Sequence, residues 1–65
     1  MSRAQSIGRV AMFRARVAGA LARRDGQDAI DCPYDLNGDY YDRARARFWL
    51  RGWARADRAL TGSGV

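Results

Sequence analysis

The chain has 65 residues, twelve of them arginine and seven aspartate, with lysine, glutamate and histidine absent and a net charge of +5. A chain this short makes one domain, residues 1–65, and buries only about 60% of its unfolded surface, so its core is small and it gains stability from a partner or a second copy. With no histidine, no glutamate, no lysine and one cysteine, a zinc cluster, a Ser/His/Asp triad, a phosphate loop ending in lysine and an intrachain disulfide are all excluded.

That inventory points away from an enzyme and gives no reason to expect a metal or cofactor. The surplus positive charge favours a polyanionic partner, because the planar arginine fork pairs with phosphate through two hydrogen bonds and stacks on bases. No apolar run has the length of a signal peptide or a membrane span, so a cytoplasmic protein without a membrane partner is expected.

Residues 3–24 read as a first helix, rich in alanine and arginine, with Ile7, Val10, Phe13, Val17 and Leu21 forming one apolar stripe. That stripe is expected to face inward. Gly8 and Gly19 each cost a helix roughly 1 kcal/mol relative to alanine, and close approach of another backbone is the usual reason to keep one there. Gly19 is expected to mark the crossing of the second helix. Arg9, Arg16 and Arg23, seven residues apart, form a basic line along the same helix.

Residues 25–39 carry turn chemistry, with five aspartates and Gly26, Pro33 and Gly38. Gly26 ends the first helix. Pro33 fixes its own backbone and pushes Cys32 towards an extended conformation, so Cys32-Pro33-Tyr34 makes a rigid corner that aims the tyrosine inward. Cys32 reads as a small buried side chain. Asp39 is placed to cap a second helix over residues 40–60, with Asp42 at the positive end of its dipole.

Within that second helix Tyr41, Trp49, Trp53, Ala56 and Leu60 are the expected inner face, with Ala46 and Leu50 at its margin. Trp49, Trp53, Phe13, Phe48 and Tyr34, at roughly 150–250 Å² of buried area for each large aromatic, are expected to supply most of the core. Arg43, Arg47, Arg51 and Arg55 form an i, i+4 ladder whose like charges repel by about a few tenths of a kcal/mol per pair unless an anion neutralises them. Residues 61–65 are expected to fray. The fold class is therefore all-α, a two-helix antiparallel hairpin with an ordered Cys-Pro-Tyr corner connecting the helices.

The run Arg14-Ala15-x-x-x-Gly19 with Gly26, then Cys32-Pro33-Tyr34, then Trp49-Leu50-x-Gly52-Trp53-x-x-Ala56 resembles the ribosome modulation factor family, including its short plasmid- and phage-borne relatives. The chain departs from that pattern in a longer stretch between Tyr34 and Trp49, and in Arg23 and Arg51 where glycines are common. The resemblance implies a small basic two-helix protein that binds ribosomal RNA on the small subunit, blocks messenger docking and promotes ribosome hibernation.

On that reading the RNA contacts are Arg9, Arg16, Arg23, Arg43, Arg47, Arg51 and Arg55, with Tyr40 as a group that stacks on unpaired bases. Gly19, Gly26, Cys32, Pro33, Tyr34, Trp49, Gly52 and Trp53 are assigned to structure. The alternative from another class is a mobile-element protein that docks on a host protein without RNA, using the acidic stretch 35–41 as its specific part. Homodimerisation is compatible with either.

Overall fold

Alanine and arginine are strong helix formers, and the chain uses them in two long helices: α1 over Ser2–Arg24 and α2 over Tyr40–Thr61. The computed structural model describes residues 2–62, and their side chains from residue 8 onward. The side chain of Ile7 and the tail residues Ser63, Gly64 and Val65 lie outside that description. No strand occurs among the described residues, and the two helices pack against each other, the all-α pair that the composition indicates.

α1 ends in a Schellman turn. Gly26 adopts φ +87°, its N–H donates to the Arg23 carbonyl at 3.1 Å, and the Gln27 N–H donates to the Ala22 carbonyl at 2.9 Å. A single 3-10 turn follows at Ala29–Asp31, where the Asp31 carboxylate accepts from the Asp28 N–H at 3.1 Å. Cys32 is extended ahead of Pro33, at φ −51° and ψ 125°. Asp35 then closes an Asx turn, accepting from the Asn37 N–H at 2.8 Å. Asp39 caps α2 as its position suggests, its carboxylate accepting from the Asp42 N–H at 2.9 Å.

The helices meet where neither has a side chain. A Cβ placed on Gly19 would collide with the Trp49 carbonyl and come within 3.0 Å of the Trp53 nitrogen, and one placed on Gly52 would collide with the Arg16 carbonyl. Gly19 does mark the crossing. Such contact demands small neighbours, and Ala15, Ala22, Ala46 and Ala56 supply them, so that Ala15-x-x-x-Gly19 on α1 faces Gly52-x-x-x-Ala56 on α2. Trp49, 2% exposed, fills the remaining volume, with Cys32, Tyr34, Phe48, Leu50 and Trp53 partly buried around it.

This geometry reverses the expected inner face of α1. Val10, Phe13, Val17 and Leu21 are 50%, 62%, 41% and 52% exposed, because a branched or aromatic side chain at the crossing would hold the backbones apart. On α2 the same constraint moves Ala46 and Gly52 into the core and leaves Tyr41 and Leu60 outside.

The contacts also set the direction of the pair. Gly8 faces the Tyr41 ring, the Arg16 carbonyl faces Gly52, and Arg23 pairs with Asp57 at 2.8 Å, so the N-terminal halves lie together and the C-terminal halves lie together. The helices run side by side in the same direction, where a short corner would have made them antiparallel. Residues 25–39 are more than a corner. At about 3.3 Å per residue they can reach roughly 50 Å, against about 33 Å for a helix the length of α2.

They use that reach to return along the pair. The Gln27 carbonyl accepts from the Trp53 indole at 2.8 Å, Asp31 and Pro33 lie beside Ala22 and Trp49, and the Tyr34 ring sits 5.2 Å from the Arg45 guanidinium carbon.

Two glycines therefore predict opposite outcomes. Gly19→Ala should lower unfolding free energy by about 1–3 kcal/mol or more, since backbone has to move. A Cβ on Gly8 meets only the Tyr41 ring, at 3.9 Å, so Gly8→Ala should raise stability by about 0.5–1 kcal/mol. Urea unfolding followed by circular dichroism checks both.

Candidate nucleic-acid interface

Helical spacing puts Tyr40, Ala44 and Phe48 on one line of α2, with Arg43, Arg47 and Arg51 beside it. Because α1 runs in the same direction, its N-terminal half covers one edge of this line. Gly8, Met12 and Phe13 of α1 and Tyr40, Tyr41, Ala44 and Phe48 of α2 form an apolar groove of about 620 Å³, walled by Arg9 and Arg16. A second depression shares Tyr40, Ala44 and Phe48 and is walled by Arg43, Arg47 and Arg51. The two are one continuous surface, with an aromatic floor between two banks of arginine, and no carboxylate lines either part.

The aromatic groups are presented to solvent. Tyr40 is 71% exposed, its ring set edge-on to Tyr41 with centroids 5.7 Å apart. The Arg51 guanidinium lies over the Phe48 ring at 5.3 Å. Arginine forks beside exposed aromatic faces are the chemistry that pairs with phosphate and stacks on planar groups.

The two acidic residues of α2 are both committed elsewhere. Asp57 accepts from the Arg23 Nε at 2.8 Å, and Asp42 accepts from Arg45 at 2.6 Å. Arg43, Arg47, Arg51 and Arg55 are left exposed and in no ion pair among the described residues. Their mutual repulsion is not offset by an ion pair among the described residues.

Of the residues singled out by sequence, Arg9, Arg16, Tyr40, Arg43, Arg47 and Arg51 come together around the groove, and Arg55 extends the ladder one turn further. Arg23 departs from the basic line. Half-buried, it pairs with Asp57 and stacks over Trp53 at 5.7 Å, so it fastens the C-terminal halves of the helices instead of facing outward.

Phe13, Phe48, Met12 and Tyr41 belong to the groove and were not marked by the sequence as contacts. The four-residue spacing from Tyr40 through Ala44 to Phe48 is the signal that points to it. Arg45 plays a structural part, wedged between Asp42 and the Tyr34 ring with its Nε buried and without a partner. The Asp42–Arg45 spacing of three is the sequence sign of that pairing.

The residues assigned to structure hold the frame. Gly19 and Gly52 make the crossing, Gly26 the turn, Trp49 the core and Trp53 the link to the connector, while Cys32 and Tyr34 pack against the core from a connector that Pro33 keeps extended. No cluster of three or more metal-ligating side chains occurs among the described residues, and no helix there is long and apolar enough to cross a membrane. Compared with known proteins, the chain matches no family model, and no curated protein or solved structure is significantly similar to it.

Proposed function

We propose that this chain is a small RNA-binding protein of the ribosome modulation factor type, which binds ribosomal RNA on the small subunit and holds ribosomes inactive. The observation that carries the proposal is the gathering of five arginines from two helices, Arg9, Arg16, Arg43, Arg47 and Arg51, around the exposed Tyr40 and the partly buried Phe48. Arginine supplies phosphate contacts, and aromatic faces accept unpaired bases, so the surface suits looped or single-stranded RNA better than a regular duplex. The resemblance adds support from a separate set of residues. Gly52, Trp53 and Cys32-Pro33-Tyr34 build the frame that presents the arginines. The reading is of a binding protein, not an enzyme, acting in the cytoplasm.

A host-protein adaptor is favoured by a different surface. Ile30 is 87% exposed and Leu36 52% exposed on the aspartate-rich connector, where carboxylates repel RNA and suit a protein partner. Recovery of one protein partner from nuclease-treated lysate, with no ribosomal binding, would favour that reading over the first.

Co-sedimentation with purified small subunits, in the presence of bulk RNA as competitor, tests the main proposal. Stoichiometric retention is expected, and loss of all binding to the competitor would defeat it. With about five phosphates contacted, log affinity should fall with log salt at a slope of roughly −3.5 to −4.5, and Arg47→Ala or Arg51→Ala should each reduce the slope by about 0.7–0.9. Tyr40→Ala should weaken binding by about 1–3 kcal/mol with the salt slope unchanged. Arg23→Ala should instead lower the melting temperature and leave the slope as it was, because its guanidinium is held by Asp57.

A further inference from the structure

Ala44 is a small residue of α2 that the helix crossing does not account for. The alanines that the close contact requires, Ala15, Ala22, Ala46 and Ala56, are buried in the helix pair, whereas Ala44 is half-buried and borders both arginine-walled depressions. Tyr40 and Phe48 border both as well, and Ala44 stands between them, four residues from each. Its methyl group leaves a notch between two aromatic rings. Resting on the RNA-binding reading above, we propose that this notch admits an unpaired base of an RNA strand while the strand's phosphates follow Arg43, Arg47 and Arg51, so that Ala44 sets the preference for unpaired over paired RNA.

The dimensions suit a base. Eight residues advance about 12 Å along a helix, and a base in contact with a ring on each face needs roughly 7 Å. Met12 and Phe13 back the notch from α1, in a groove of about 620 Å³. That volume lies within the roughly 300–1,000 Å³ of cavities that hold small planar ligands. Arg51 lies over the Phe48 ring at 5.3 Å, so a base stacked there meets a cation as well as a ring.

Charge selects a strand over other planar occupants. Arg43, Arg47 and Arg51 lie one residue before Ala44 and three and seven after it, which at about 100° per residue sets all three on the same side of it. Each step of that row advances about 6 Å, a spacing that suits successive phosphates of an extended strand. Arg9 and Arg16 wall the opposite side, and no carboxylate lines either depression. A paired base keeps its faces covered by its neighbours in the stack, so only an unpaired one can enter. The floor has no amide or carboxylate to read a base edge, and bases are therefore held by their faces with little regard to sequence.

Fluorescence anisotropy of the full chain with a labelled, unstructured RNA dodecamer, alone and annealed to its complement, tests the notch. The unaltered chain should prefer the single strand. Ala44→Leu fills the notch with a good helix former that has no face to stack on, and should lower the ratio of single-strand to duplex affinity at least about fivefold. Its salt slope and helical circular dichroism should stay as they were, and Ala44→Ser, which keeps the notch open, should keep the ratio. No preference in the unaltered chain, or an unchanged ratio in Ala44→Leu, overturns the notch and leaves the RNA-binding reading standing. Absence of binding to either RNA also overturns it, and co-sedimentation with small subunits then reads separately whether the wider reading falls too. Displacement of the dodecamer by micromolar adenosine 5′-monophosphate, lost in Ala44→Leu, would assign the notch to a free nucleotide and overturn it equally.

Discussion

Where α1 and α2 cross, backbone touches backbone, and the rest of the molecule is arranged around that contact. Gly19 meets the Trp49 carbonyl and Gly52 meets the Arg16 carbonyl, a reciprocal fit that any Cβ on either side would break. Once the helices are this close, only alanine can occupy the adjacent inner positions, and a single tryptophan suffices to fill the core. The hydrophobic gain from such an interface is small, since alanine brings little apolar area. Dispersion between closely packed backbones makes up part of the difference, each atom pair contributing about 0.1–0.2 kcal/mol over many pairs. The same closeness displaces the bulky apolar residues of α1 to the outside, where they become available to something else.

The connector completes what the crossing leaves undone. It covers the exposed flank of Trp49, accepts the Trp53 indole N–H at the Gln27 carbonyl and brings Tyr34 under Arg45. Three of its aspartates shape its own path: Asp31 at the 3-10 turn, Asp35 at the Asx turn and Asp39 at the helix cap. The arginines divide by the same logic. Arg23 and Arg45 have an aspartate and an aromatic ring each and are used inside the fold; Arg43, Arg47, Arg51 and Arg55 on the open face of α2 have no acid partner among the described residues, and Arg51 alone of these four lies over a ring. Uniform composition conceals two roles that only position separates.

Much of the local structure was legible in the sequence because it depends on nearest neighbours. Gly26 as a helix stop, Asp39 as a cap and extended Cys32 before Pro33 are all decided within a few residues. The crossing at Gly19 was also legible, since a glycine inside a helix asks for an explanation. The inner face of α1 was not, because apolar periodicity marks the large side chains while the close crossing buries the small ones. The paired small-residue spacings at Ala15/Gly19 and Gly52/Ala56 carried the better signal. Direction depended on whether residues 25–39 turn sharply or travel back, and turn chemistry is compatible with both. The partnership of Arg23 with Asp57, 34 positions apart, had no local mark, and twelve arginines offered no means of choosing among them.

Helices running in the same direction have an electrical consequence. Each helix carries the equivalent of roughly half a positive charge at its N-terminus and half a negative charge at its C-terminus, and antiparallel neighbours cancel one another. Here the two dipoles add. Their positive ends lie together at the end of the molecule where Arg9, Tyr40 and Arg43 are found. A polyanion approaching in solution therefore feels a torque as well as an attraction, turning the protein groove-first before contact is made. For the RNA binding proposed above, that orientation would raise the fraction of productive encounters at low ionic strength, so the fold's chain path would bear on the rate of association as well as on its target.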